Sequence, residues 1–173
     1  MLSVWNEKFY NVMKNSAALK ELEELLGKRL NSSLSDREVH GSSETHFQKY
    51  PPDVVAYVRT RNEVQDLVHI CARHEYPVIG WGTGTSLEGH TAALRGGVCV
   101  DFTQMDKLLQ INVEDMNVVI EPGLTREKLN EELRSTGLFF PVDPGANASL
   151  GGMAATGASG TTTVKYGNMN SNV

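Results

Sequence analysis

The run Gly80-Trp81-Gly82-Thr83-Gly84-Thr85-Ser86-Leu87-Glu88-Gly89 follows directly on the apolar pair Val78-Ile79. Glycine reaches positive φ without a steric penalty, so residues 80, 82 and 84 allow successive N–H groups to turn inward as an anion nest. Thr83, Thr85 and Ser86 add hydroxyl donors. Such a loop holds a diphosphate without any lysine; the competing reading is a glycine-rich corner that only redirects the chain. Neither common nucleotide pattern fits. The dinucleotide fingerprint needs glycine where Leu87 stands, and Gly84 and Gly89 have P-loop spacing but are followed by His90 in place of lysine. Glu88 tolerates a neighbouring phosphate only with its carboxylate turned outward.

A second stretch carries the same chemistry in weaker form. Residues 144–164, PGANASLGGMAATGASGTTTV, have no charge and are nearly all small. Of 16 glycines, only Gly27 and Gly41 precede residue 80. Small uncharged stretches are either flexible linkers or places where backbone passes close to a flat ligand or another backbone. The interspersed Leu150, Met153 and Val164 favour an ordered segment.

Other candidates have plainer readings. His40, His46, His69 and His74 match no zinc spacing and read as surface or capping histidines. Asp101 and Asp106 flank a strand end and read as turn or cap residues, with a ribose contact the lesser option for Asp101. Trp81 either stacks near a cofactor or packs under the loop, and Asp143 before Pro144 reads as a turn former ahead of a catalytic acid. Lys165 and Tyr166 border the small-residue stretch with no assigned role. Cys71 and Cys99 sit among apolar neighbours as buried free thiols, not a disulfide framework.

The elements that must position these loops follow from periodicity. Trp5, Phe9, Val12, Met13, Leu19, Leu22, Leu25 and Leu26 make residues 4–26 an amphipathic helix that Gly27 stops. Residues 31–52 are polar, and Pro51-Pro52 forces extended backbone into a strand over 54–58. Thr60-x-x-Glu63 is a capping box, opening a helix with Val64, Leu67, Val68 and Cys71 on its inner face. Val78-Ile79 and 98–102 are the next strands; 111–113 and 118–120 pair around a polar turn at 114–117. Pro122-Gly123 is a turn, and Thr125 caps a helix with Leu129 and Leu133 inward and Gly137 as its stop. Strands alternating with helices predict a βαβ unit with a small parallel sheet.

The chain has 173 residues, room for about one domain with a real core. A net charge of −5 excludes a nucleic-acid or anionic-membrane binder, and no apolar run is long enough for a transmembrane segment. No apolar region after Met1 suggests a secretory signal, and early acids argue against a transit peptide.

PVIGWGTGTSLEGH, GGVCVDFTQMDKLLQIN, VVIEPGLTREKLNEEL and GLFFPVDPGANASLGGMAATGASGTTTVKYG, in this order, resemble the FAD-binding domain of the vanillyl-alcohol-oxidase (PCMH-type) flavoproteins over about residues 37–168. Within that superfamily the wording is most similar to the N-terminal half of the cytochrome-linked, mitochondrial D-lactate dehydrogenase branch. The resemblance implies an α+β fold: a small βαβ parallel-sheet subdomain followed by the start of a second, incomplete antiparallel subdomain. It implies division into an N-terminal helix and linker, 1–36, and a PCMH-type domain, 37–173, truncated at its C-terminus. It implies non-covalent FAD, with the pyrophosphate wrapped by Trp81, Gly82, Thr83, Gly84, Thr85 and Ser86. The flavin and diphosphate would run along Pro144, Gly145, Ser149, Gly151, Gly152, Ala155, Thr156, Ser159 and Gly160. His90 lies after the phosphate loop and is set aside as a covalent flavin attachment point.

By the same resemblance the longer protein oxidises a D-2-hydroxy acid to a 2-oxo acid by hydride transfer to flavin, then passes electrons to a cytochrome c-like acceptor in the mitochondrion. The substrate arginine, metal ligands and catalytic base would come from a later domain, so this chain alone is expected to be inactive. An unpaired sheet edge leads to the expectation of disorder after about residue 150. Alternatives are a D-2-hydroxyglutarate dehydrogenase, an ether-lipid synthase relative, and a non-catalytic truncated product.

Overall fold

The computed structural model describes residues 16–173. The described part of the first helix, α1, covers 16–26; Trp5, Phe9, Val12 and Met13 lie outside the described residues. A 3-10 turn, Gly27–Arg29, leads into β1, Leu30–Asn31, and then α2, Leu34–His40. The βαβ unit follows: β2 Val54–Tyr57, α3 Arg61–Arg73, β3 Val78–Trp81, and then β4 Val98–Asp101.

The sheet order is β1-β2-β4-β3, with β1 antiparallel and the other three parallel. β4 sits between β2 and β3, which is why all four of its residues are buried. Its register aligns Asp101 with Tyr57 on one side and Trp81 on the other. The carboxyl ends of three parallel strands therefore meet there, the edge at which open α/β sheets bind ligands.

One core joins this sheet to α1 and α3, through Ala18, Leu22, Leu26, Val54, Ala56, Leu67, Ile70, Val98 and Val100. Each fully buried Leu or Val contributes about 1.5–3 kcal/mol. The expected boundary at residue 36 falls inside α2, and α1 shares this core with the sheet. Thr60 caps α3 by accepting from the Glu63 N–H at 3.2 Å. The Glu63 carboxylate takes the Arg59 N–H at 2.8 Å and a two-pronged contact from Arg29 at 2.7 and 2.8 Å. Those Arg29 hydrogen bonds hold its carboxyl below the usual carboxylate range.

The second unit is the antiparallel hairpin β5, Leu108–Asn112, and β6, Asn117–Ile120, with α4, Arg126–Leu133, packed on it. Its core is Leu124, Leu129, Leu133, Val142, Leu150, Met153 and Met169. β5 begins earlier than 111 and ends at Asn112, leaving Val113 exposed in the turn. Beyond residue 149 the expected disorder is replaced by three short helices: α5 Leu150–Thr156, α6 Thr163–Tyr166 and α7 Met169–Asn172. Leu150, Met153 and Met169 anchor them in the second core.

Two readings change. β1 and α2 lie in the stretch read as polar connection; the apolar residues of α2, Leu34 and Val39, face solvent while its His40 is buried, so its pattern is inverted. On α3 the inner face carries Ile70, and Val68 is 46% exposed. Leu67→Ala is therefore expected to cost about 3 kcal/mol by urea denaturation, while Val68→Ala stays within about 0.5 kcal/mol.

Candidate functional site

The glycine turn leaves the C-terminal end of edge strand β3. Gly84 has φ +68°, and a side chain there would come within 3.0 Å of the Trp81 indole. Trp81 therefore packs beneath the loop; its other neighbour is the His40 ring, with centroids 4.5 Å apart. The indole N–H is buried without a partner. Thr83 and Thr85 hydroxyls lie 3.3 Å apart, and Ser86 Oγ sits 2.5 Å from His90 Nδ1. Thr85 is exposed and the rest of 81–86 is half-buried.

The small-residue stretch meets this turn at one point. A Cβ on Gly82 would overlap the Ser149 hydroxyl, and one on Gly152 would stand 2.9 Å from the same oxygen. Ser149 is buried, and its segment is tied down by backbone bonds: Arg126 N to Ala148 O at 3.1 Å, Leu150 N to Leu124 O at 2.8 Å and Gly151 N to Pro122 O at 2.8 Å. α5 turns Leu150 and Met153 inward and leaves Gly152, Ala154, Ala155 and Thr156 exposed, so its outer face is built of small residues.

The other residues named from sequence fall around this junction in different ways. Pro144 is half-buried, while Gly145 is exposed with φ +86° and donates its N–H to Asp143 Oδ1 at 3.0 Å. Ser159 is exposed. Gly151 and Gly160 lack side chains for an internal reason: a Cβ would strike Pro122 in the first case and the Asp143 carbonyl in the second. Asp143 is a turn residue, as read, and its Oδ1 lies 3.4 Å from the Arg126 guanidinium.

His40 and Asp101 differ most from the sequence reading. His40 is buried, with Nε2 2.8 Å from Asp101 Oδ2 and Nδ1 2.8 Å from the Asp36 carbonyl oxygen. Asp101 is also buried; its Oδ1 accepts from Thr103 N at 2.7 Å and Thr103 Oγ1 at 2.5 Å. Both its oxygens are thus engaged inside the protein, which removes the ribose option. No spacing in the sequence joins residues 40 and 101; only the position of Asp101 at the end of an apolar strand hinted at a role. The thiols are inert: burial pushes Cys71 up to about 11, and burial with the Asp101 and Asp36 charges pushes Cys99 up to about 12.

No group of three His, Cys, Asp or Glu side chains suits a metal among the described residues. No helix among them is long and apolar enough to cross a membrane. A separate apolar groove of about 790 Å³ lies over the second core between β6, α4 and α5, lined by Val119, Leu129, Leu133, Phe139 and Phe140.

Residues 52–173 match the family model described as FAD binding domain. The chain belongs to this FAD-binding family. Over 137 residues it is 53% identical to a protein named probable D-lactate dehydrogenase, mitochondrial, from Danio rerio, covering 79% of this chain and 28% of that protein. Over 157 residues it is 42% identical to a D-lactate dehydrogenase [cytochrome], mitochondrial, from Arabidopsis thaliana, covering 90% and 28%. The chain thus spans under a third of the curated relatives it matches. Among solved structures, an alkyldihydroxyacetonephosphate synthase superposes with TM-score 0.80 at 25% identity, covering 88% of this chain and 34% of that one. p-Cresol methylhydroxylase superposes with TM-score 0.64 at 22% identity, covering 75% and 26%, a likeness of fold alone. The parallel sheet followed by an antiparallel hairpin is the α+β arrangement that the resemblance implied.

The Gly82–Ser149 contact is open to a direct check. Gly82→Ala is expected to lower stability by about 1–3 kcal/mol through overpacking against Ser149 Oγ. Adding Ser149→Gly is expected to restore most of that loss, a coupling that a double-mutant cycle on thermal unfolding measures.

Proposed function

We propose that this chain is the FAD-holding part of a flavin-dependent D-2-hydroxy-acid dehydrogenase acting on D-lactate. The observation that carries the reading is the convergence of the two glycine-rich stretches at Ser149, between Gly82 and Gly152. Distant in sequence, they lie flush against each other at Ser149, and beside that junction the exposed small residues of α5 leave backbone open to close approach by a flat dinucleotide. The donors on offer are neutral: amides of the turn and the hydroxyls of Thr83, Thr85 and Ser86. That set suits a diphosphate, and the small outer face of α5 suits an aromatic ring system.

Trp81, Gly82, Thr83, Gly84, Thr85 and Ser86 would hold the diphosphate. Pro144, Gly145, Ser149, Gly151, Gly152, Ala155, Thr156, Ser159 and Gly160 would line the remainder of the cofactor. Attachment would be non-covalent, since His90 follows the phosphate-holding residues instead of lying among them. Bound flavin supplies a hydride acceptor for the substrate carbon. This chain's own part is to orient the cofactor and keep its phosphates desolvated among fixed dipoles. Substrate-contacting groups would be contributed by the remaining length typified by the relatives, and the chain alone holds flavin without turnover. We assign 37–173 to the domain proper, with the described segment before it packed through α1 into the same core. The names of the relatives support a mitochondrial setting and a cytochrome c-like acceptor.

The test is reconstitution. Purified chain incubated with FAD is expected to retain a yellow, protein-bound flavin with a perturbed visible spectrum. FMN, which lacks the adenylate half and one phosphate linkage, is expected to bind at least about tenfold more weakly. Gly84→Val, which sets a β-branched residue at φ +68° against Trp81, is expected to abolish retention. A colourless wild-type chain at saturating FAD would refute the cofactor assignment. Dye reduction by D-lactate with this chain alone would refute the division of labour.

A further inference from the structure

Beneath the glycine turn lies a buried polar chain that flavin binding does not by itself require. Tyr57 Oη donates to the Asp36 carboxylate at 2.8 and 2.9 Å. His40 Nδ1 faces the Asp36 carbonyl oxygen at 2.8 Å, with Asp36 Oδ1 3.6 Å away. His40 Nε2 faces Asp101 Oδ2 at 2.8 Å. The Trp81 ring lies against the same imidazole, and a Gly84 side chain would come within 3.0 Å of that same indole. The line Asp36–His40–Trp81–Gly84 thus runs from α2, across the end of the sheet, to the floor of the turn.

The protonation state follows from what each ring nitrogen faces. A backbone carbonyl oxygen only accepts, and so does an ionised carboxylate. A neutral imidazole has one N–H and would leave one nitrogen's lone pair against an acceptor. With an ionised Asp101 opposite Nε2, both contacts are satisfied by the doubly protonated ring. An imidazolium beside an indole also gains cation–π attraction.

We propose that His40 is a positioning residue for the glycine turn: its imidazolium, held between the Asp36 carbonyl and the Asp101 carboxylate, fixes the Trp81 ring under Gly84 and so keeps the turn in its receiving shape. The flavin consequence rests on the reading above; the positioning itself does not. Burial on its own disfavours the charged ring, but the hydrogen bonds to Asp101 and the Asp36 carbonyl, with the charges of both carboxylates, outweigh it and raise the pKa above 6.5. A raised pKa means that the pair's contribution is complete below about 6.5 and is lost as pH climbs through the folded-state value. Neither Tyr57 nor Cys99, the other neighbours that carry a titratable proton, changes charge in that window. Tyr57, by burial and its bond to Asp36, is pushed further up, Cys99 up to about 12, and both carboxylates accept hydrogen bonds.

The experiment uses the 173-residue chain carrying Trp5→Phe, which leaves Trp81 as its one indole. Protonated imidazole quenches indole emission. Emission is expected to rise with pH in one step centred above 6.5, and the amide protection factors at residues 82–86, exchange corrected for its intrinsic base catalysis, are expected to fall across the same step. His40→Gln, which keeps an amide donor toward Asp101, is expected to abolish the step and leave exchange fast at all pH values. Far-UV circular dichroism checks its fold. The FAD dissociation constant of the variant at pH 6 is expected to rise about tenfold, the size of one lost charge-assisted hydrogen bond.

A wild-type chain with no emission step, or with turn exchange indifferent to that step, overturns the proposal without use of any variant. A folded His40→Gln variant with wild-type exchange and FAD affinity overturns it as well. A wild-type chain that shows the step and the coupled exchange yet binds no FAD leaves the positioning in place and refutes the flavin reading instead.

Discussion

Two stretches of backbone must come closer than side chains allow, and the placement of glycine in this chain follows from that. Gly82 meets Ser149, Gly151 meets Pro122, Gly160 meets the Asp143 carbonyl, and Gly84 overlies the Trp81 ring. Each contact removes a side chain from one partner so that the other can lie flush against it. A methyl group on Gly82 pushes apart segments that belong to different units, so its cost falls on the seam between them, whereas at Gly151, Gly160 and Gly84 the cost falls within one unit. The price in unfolded-state entropy of so many glycines is recovered only because the segment from 122 to 160 is cross-tied by backbone hydrogen bonds.

That seam fixes where the proposed bed lies. The first core holds the parallel sheet against α1 and α3, and the second holds the hairpin against α4, α5 and α7. The turn after β3 belongs to the first and the Ser149 segment to the second, so neither unit builds the bed alone. The parallel strands end at a common level because β4 pairs in register with both neighbours, which sets Tyr57, Asp101 and Trp81 side by side. A ligand at that level is approached by backbone from both units at once.

Much of this was legible in the residues, and the failures have physical reasons. Period and caps located α3, α4 and strands β2, β3, β4 and β6, because an amphipathic helix advertises its buried face and Thr60 and Thr125 are real caps. The composition of 80–89 and 144–164 pointed to close approach, though not to each other: contact between distant segments leaves no local trace. α2 was invisible because its apolar residues face solvent and its buried residue is a histidine. The same inversion hid the Asp36–His40–Asp101 chain, since a buried imidazolium satisfied by two acceptors looks, in one dimension, like any polar surface residue. Gly151 and Gly160 illustrate the opposite limit, for a glycine demanded by the protein's own backbone is spelled no differently from one demanded by a ligand.

The choice of neutral donors in the bed has its own logic. A lysine in a dry crevice must lose its hydration before it attracts a phosphate, and it drags a flexible stem into order. Backbone amides of a turn are already oriented and carry no net charge, so they do not repel one another when no anion is present. Their weakness is that nothing but the turn's shape holds them aimed. A turn on an edge strand, exposed on one side, needs support from beneath, and here that support is an indole with a charged ring behind it. The buried His40–Asp101 pair therefore lies a layer below the neutral amides. In that position it stiffens the surface that meets the ligand without placing a full charge, or its desolvation cost, in the ligand's path.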